Sequence, residues 1–371
     1  MRDVIWLFVK LGTIAFGGPA AHIAMMEDEV VNRRRWLTRE QFLDYLGATN
    51  LIPGPNSTEL AIHIGYLRAG WAGLIAAGVS FILPAATIVS AIAVVYVRYG
   101  SLPAIEGVLY GVKPVVMAVI AQAIWNLARA ALKTLTLGVI GLVAIAATVA
   151  GVHELVLLAA SGLAMAAIAA AAKKGRNAET LGGIATAWSA AALGAATAAP
   201  FALSTLFLVF LKAGAVLFGS GYVLIAFIRA DLVERLGWLT ESQLLDAIAV
   251  GQITPGPVFT TATFVGYVLG GGAGALVATI GIFLPAFVFV ALSGPLVPRV
   301  RSSPVAGAVL DGVNVASLAL MAVVSWQVGR AAIIDLVTAA LALVSLIALV
   351  RWRVNSAWLI LAGAVLGWLA R

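Results

Sequence analysis

Pro53-Gly54-Pro55 and Pro255-Gly256-Pro257 stand 202 residues apart (255 − 53 = 202), each inside an otherwise apolar stretch. Gly17-Gly18-Pro19 and Gly219-Ser220-Gly221 keep the same separation (219 − 17 = 202). A helix that stops and restarts at such a break exposes free backbone N–H groups and the positive end of its dipole. That is a ready site for an anion. Glycine lets a ligand approach the backbone, and proline fits the first helical turn, where its missing N–H costs nothing. Asn50, Asn56, Ser57, Gln252, Thr254, Thr260 and Thr261 flank the Pro-Gly-Pro breaks. Neutral donors of this kind suit an oxyanion, which needs several hydrogen bonds. Each could equally cap a helix or bridge two helices. The breaks could equally be kinks of ordinary membrane helices; four in matched positions favour a site. The candidate binding residues are therefore Gly17, Gly18, Pro19, Asn50, Pro53, Gly54, Pro55 and Asn56 in the first half. In the second they are Gly219, Ser220, Gly221, Gln252, Pro255, Gly256, Pro257 and Thr260.

Charged groups in the apolar parts form a second set. Lys10 and Lys212 occupy equivalent positions (212 − 10 = 202); each could draw an anion inward or snorkel to the interface. Lys113 lies inside an apolar run, its counterpart is Asn314 (314 − 113 = 201), and Asp311 precedes that counterpart by one turn. Ionisable groups within a membrane are functional candidates by default. Glu59 and His63, four apart, share a helix face and could pass a proton, or could be a surface pair. His22, one turn after Pro19, has the same two readings.

These residues need elements to hold them. The chain is 62% hydrophobic and only 11% charged, with a mean hydropathy of +1.06, whereas soluble domains carry roughly a quarter charged residues. Continuous runs such as Ala72–Val97 fit the roughly 20 residues of a membrane helix. They do not alternate, which predicts helices rather than a barrel. The two stretches that open each half are too short to be ordinary spans. One runs from Val4 to Phe16. Another starts at Thr38-x-x-Gln41, a capping-box pattern, and stops at Pro53. They predict re-entrant hairpins or discontinuous helices, tolerated at membrane depth only when buried in protein or lining a cavity.

The whole plan occurs twice. Phe8-Val9-Lys10-Leu11-Gly12 matches Phe210-Leu211-Lys212-Ala213-Gly214, and Trp36-Leu37-Thr38 matches Trp238-Leu239-Thr240. After one dropped residue, Gly65-Tyr66 matches Gly266-Tyr267 and Leu83-Pro84-Ala85 matches Leu284-Pro285-Ala286, now 201 apart (266 − 65 = 201). The reading is an all-α polytopic membrane protein of two inverted-topology repeats, 1–172 and 205–371. Residues 173–204 form a linker and a connecting transmembrane helix. Spans at 71–98, 104–128, 134–151, 153–172 and 183–200 separate the two hairpin sets, an odd number, which inverts the second half. With the N-terminus in the cytoplasm, Arg33, Arg34, Arg35, Arg39, Arg129, Lys133, Lys173, Lys174, Arg176, Arg299, Arg301, Arg351 and Arg353 fall inside. Only Arg98, Arg229, Arg235, Arg330 and Arg371 fall outside, a strong positive-inside bias.

The formal charge of +7 is then a property of cytoplasmic loops and implies no nucleic acid. There is no cysteine, hence no thiolate metal site, and His153-Glu154 lacks the second histidine of a zincin helix. No nucleophile elbow or phosphate-binding loop points to an enzyme, and no cofactor or metal is expected.

The motifs resemble the chromate ion transporter family in its two-domain form. The matching residues are Phe16-Gly17-Gly18-Pro19-Ala20-Ala21-His22, Trp36-Leu37-Thr38, Leu51 through Ala61, Phe81-Ile82-Leu83-Pro84, Gly251 through Thr263, and Phe283-Leu284-Pro285. The resemblance covers nearly the whole chain. It implies a carrier in the inner membrane that expels chromate, driven by the proton-motive force. Its partners would be a small oxyanion (chromate, or sulfate, which shares its charge and shape), protons and the bilayer, with a homodimer allowed. Ser220 departs from the glycine expected there and adds a hydroxyl at that tip. A sulfate, molybdate or organic-anion carrier and a passive anion channel remain alternatives.

Overall fold

The computed structural model describes the chain except Gly17, Ser101, residues 175–199, Gly219, Ser220, Ser302, Ser303 and Arg371. The expected span at 183–200 and the polar linker before it fall mainly in the segment outside this description.

Each half folds by the same sequence of events. α1 (Arg2–Ile14) ends at Ala15, whose backbone is extended. α2 (Gly18–Glu27) restarts the helix and widens into a π-helical turn, Asp28–Arg33. After the elbow at Trp36, α3 (Arg39–Thr49) begins on the capping box anticipated from its sequence. The Thr38 hydroxyl accepts from the Gln41 N–H, and the Gln41 side chain accepts from the Thr38 N–H. α4 (Asn56–Tyr99) follows the Pro-Gly-Pro break and is interrupted at Ala69 and Gly70. Then come α5 (Pro103–Ala131), α6 (Leu135–Val149) and α7 (Glu154–Lys174).

The second half repeats this order. α8 (Leu203–Val216) leads to a short 3₁₀ turn, α9 (Leu224–Ile228) and a π-helical turn at Arg229–Arg235. α10 (Glu241–Ile253) starts on a second capping box, Thr240 with Gln243. α11 (Thr261–Arg301) is interrupted at Gly270 and Gly271, and α12 (Pro304–Ala332), α13 (Leu336–Arg351) and α14 (Ser356–Ala370) complete the chain. Because each cap satisfies otherwise orphaned donors, Thr38→Ala and Thr240→Ala are each expected to cost about 1 kcal/mol. Thermal unfolding of the purified variants measures that loss.

The interruption at Ala69-Gly70 is a fold-back. Gly70 has φ 59° and ψ −148°, a conformation open to glycine. Gly65 and Gly73 then lie so close that a Cβ on either would overlap the other's carbonyl. The first arm of α4 (56–68) therefore packs along the start of the second arm (71–99). Gly266 and Gly274 repeat the arrangement around Gly271. Arg68, at the end of the first arm, lies over the Trp36 ring at 5.3 Å, so α3 and the first arm of α4 leave from one level and return to it. Phe201, before α8, likewise stacks on Trp238 at 5.1 Å.

The halves interlock. α5 packs against α13 and α14 of the other half, and α12 packs against α6 and α7. At the α5–α14 crossing, Gly111 meets Gly363 and Gly367 with no room for a side chain on any of them, a small-residue contact typical of membrane helices. Among the described residues, five helices are long and apolar enough to cross a membrane. The outer surface is apolar at equivalent places in both halves: Trp125 and Trp326, Leu135 and Leu336 are all exposed. A surface of this kind is stable against lipid and not against water.

Candidate functional site

The four breaks meet, and they meet crosswise. The Gly54 N–H donates to the Leu217 carbonyl at 2.7 Å, and the Gly256 N–H donates to the Ala15 carbonyl at 3.0 Å. Each Pro-Gly-Pro tip is thus tied to the first break of the opposite half. Gly54 and Gly256 have φ of 136° and 85°, so only glycine presents its N–H this way without strain. Of the predicted tip residues, Gly17, Gly219 and Ser220 lie outside the described residues. Gly18, Pro19, Pro53, Pro55, Gly221, Pro255 and Pro257 take their places at the breaks. Since the two central glycines give their N–H groups to protein carbonyls, an anion here draws on other donors.

The polar groups concentrate at the first-half tip. The Asn56 side-chain amide donates to Asn50 Oδ1 at 2.6 Å, closing the break. Pro55 O accepts from the N–H groups of Thr58 and Glu59 at 2.7 and 3.0 Å. The side chains of Thr58 and Glu59 are fully buried, and among the described residues the Thr58 hydroxyl and both Glu59 oxygens have no hydrogen-bond partner. Such orphaned groups are costly in a protein interior. His22 is buried between the Ala15 carbonyl (3.0 Å) and Ser57 Oγ (3.3 Å). A carbonyl only accepts, so Nε2 carries the proton and Nδ1 accepts from the serine. His22 therefore ties the first tip to the start of α4. His63 lies against the Tyr45 ring at 5.6 Å, with Nε2 3.4 Å from Ser293 Oγ of α11.

The second-half tip differs. Where the first half has Ser57 and Glu59, the second has Phe259 and Thr261 (259 − 57 = 202). Phe259 packs on Phe283. Thr260 and Thr261 donate to carbonyls in their own turn, Pro257 O and Val258 O, both at 2.8 Å. Both hydroxyls are thus satisfied within their own turn. Gln252 is buried beside them. A cavity of about 480 Å³ between α4 and α11 is lined by Ile82, Ala86, Phe283 and Phe287, with a few hydroxyls such as Thr87 and no charged group. It suits an apolar occupant, not an oxyanion.

Of the charged candidates, the three lysines and Asp311 are paired. Lys10 binds Glu29 of the π-helical turn at 2.6 Å; Lys212 binds the equivalent Asp231 and also Glu154. Lys113 binds Asp246 of α10 at 3.0 Å and donates to Ser242, while the Tyr96 hydroxyl donates to Asp246 at 2.8 Å. Asp311 binds Lys133 at 2.9 Å in a largely exposed pair. None of these joins the tip cluster by a contact of its own. The acids of the π-turns were overlooked, although an acid 19 residues after the lysine in both halves (29 − 10 = 231 − 212 = 19) is a legible signal.

Comparison with known proteins agrees with this architecture. The family model for the chromate transporter matches twice, over residues 2–167 and 204–368. A chromate transport protein of Cupriavidus metallidurans is 34% identical over 368 residues, 99% of this chain and 92% of its own length. A probable chromate transport protein of Synechococcus elongatus is 32% identical over 360 residues, 96% and 91% of the two chains. An uncharacterized transporter of Bacillus subtilis is 31% identical over 134 residues, 35% of this chain but 75% of its own length, so a single repeat is most of that protein. No solved structure matches. With matches across both halves, this chain belongs to the chromate transporter family.

Proposed function

We propose that this protein is a secondary active carrier that exports chromate across the cell's inner membrane, coupled to the proton-motive force. The observation that carries the reading is the crosswise tip pairing, which gathers breaks from both halves around the buried, unpartnered Thr58 and Glu59. A site built between two halves is one that their relative movement opens to either side. The substrate class rests on the relatives' names. Glu59, with His63 one turn on, is the group placed to take part in proton coupling. Uptake of radiolabelled chromate into inverted vesicles tests the reading. Flux that depends on an imposed proton-motive force supports a carrier. Flux that saturates at no concentration and ignores that force makes it a passive channel. A competition series with sulfate then separates chromate from oxyanions in general.

The same proposal holds that the halves are inverted. In support, the second arm of α4 begins near Arg68 and Trp36 and ends with Tyr96 on Asp246 and Phe264. Asp246 lies roughly two turns after the Thr240 cap. The elbows at Trp36 and Trp238 thus flank opposite ends of one helix. Asn32 and Glu234 are equivalent (234 − 32 = 202) and both exposed, and the chain has no cysteine. Asn32→Cys is expected to react with a membrane-impermeant thiol reagent only from the cytoplasm, and Glu234→Cys only from the opposite side. Labelling of both from one side overturns the inverted arrangement.

A further inference from the structure

Among the described residues, Glu59 has no counterion. It sits in the first turn of α4, the end where a helix favours negative charge, and it is fully buried with both oxygens unpartnered. Its Oε1 lies against Gly54 so closely that a Cβ on that glycine would overlap it. Several charged and titratable groups on the neighbouring elements make contacts of their own. Lys10 of α1 holds Glu29, His22 of α2 is held by Ala15 and Ser57, and Tyr45 of α3 faces His63. Asp246 of α10 holds Lys113, and α11 presents Ser293, a neutral group, to His63. Burial without a partner favours the protonated carboxyl group; whenever this group is ionised, it is itself an anion at an anion-favouring tip.

We propose that the ionised Glu59 carboxylate is a tethered occupant of the oxyanion position, so that substrate binds only as Glu59 takes up a proton and gives way. The inference rests on the tips being the oxyanion site. Two like charges do not share so buried a place, so anion and carboxylate exclude one another. The Thr58 hydroxyl, bonded to no described residue and not to Glu59, is a donor open to the oxyanion. His63, one turn along the same helix, is a group able to hand over the proton. The carrier then moves loaded with neutral Glu59 and returns empty with it ionised. Oxyanion and proton cross in the same direction, and a dianion with one proton still carries net negative charge. An inside-negative potential drives that complex outward.

The test is anion binding by the purified full-length protein over a range of pH, with proton uptake read by an indicator dye in weak buffer. Sulfate is one probe, because its charge is constant near neutrality. Chromate is the other, corrected for its own protonation. Wild type is expected to take up about one proton per anion, with affinity rising about tenfold per unit fall in pH while Glu59 is ionised. Glu59→Gln is expected to bind at every pH with the wild-type protein's low-pH affinity and to take up no proton. Binding by wild type without proton uptake overturns the inference and leaves the carrier reading standing. So does a Glu59→Gln variant that keeps the wild-type pH dependence. Wild type that binds neither anion at any pH overturns the carrier reading, and this inference with it.

Discussion

Gly54→Val and Gly256→Val are each expected to abolish chromate flux while the protein still reaches the membrane. Both glycines hold positive φ, where a β-branched residue is a genuine outlier and strain runs to about 1–3 kcal/mol. Space is also missing. At Gly256 a Cβ would stand 2.6 Å from Ala85 Cβ and 3.1 Å from Gly12 O, and at Gly54 it would overlap the Glu59 carboxylate. Neither tip can yield without moving, because its N–H is bonded to the opposite half. A displacement of about 1 Å at a positioned site typically costs about a hundredfold, so vesicle flux should fall by at least that. Gly47→Ala is the control: it lies in α3 with open space around it and should leave flux unchanged. Wild-type binding and transport by both tip variants would reduce the breaks to kinks.

Much of this fold was legible in the sequence because the signals were local. The capping boxes at Thr38 and Thr240, the helix stops before Pro53 and Pro255, and the spans of α5, α6 and α7 each depend on a few neighbouring residues. The boundary at Gly70 was legible, since a separate span is expected from residue 71; that the two arms pack directly against each other across it went unread. The legible trace was the glycine pair on either side, Gly65 with Gly73 and Gly266 with Gly274, which lets two antiparallel arms touch. The exchange of helices between halves left no local trace. Periodicity shows that α5 needs neighbours; it does not show that α13 and α14 supply them. The same limit applies to Lys10, Lys113 and Lys212. Sequence left Lys10 and Lys212 between drawing an anion inward and snorkelling to the interface, and Lys113 a functional candidate, and only three-dimensional pairing with Glu29, Asp231 and Asp246 tells which carboxylate each one faces.

That pairing makes a second large effect testable. Asp246 is almost wholly buried and Lys113 mostly so, 4% and 17% exposed at the side chain, and together they join α10 of one half to α5 of the other. Asp246 also accepts from Tyr96 of α4, so one carboxylate holds three helices. Removing one member of a buried pair strands the other charge, at a typical cost of about 3–5 kcal/mol. Asp246→Asn is therefore expected to lower the unfolding temperature sharply, as followed by loss of the monodisperse peak after heating. Replacing both charges removes the stranded ion. The double variant Lys113→Met with Asp246→Leu should regain most of the wild-type stability, since apolar replacements of buried pairs are often neutral or better. Flux through that double variant then separates the two roles left open for Lys113. Retained chromate flux makes the pair a structural joint between the halves. Flux lost in a stable double variant makes the Lys113 charge part of the anion's path, and moves the search for substrate contacts from the tips to the cavity of about 320 Å³ that Lys113 lines with Tyr96, Tyr110 and Ser242.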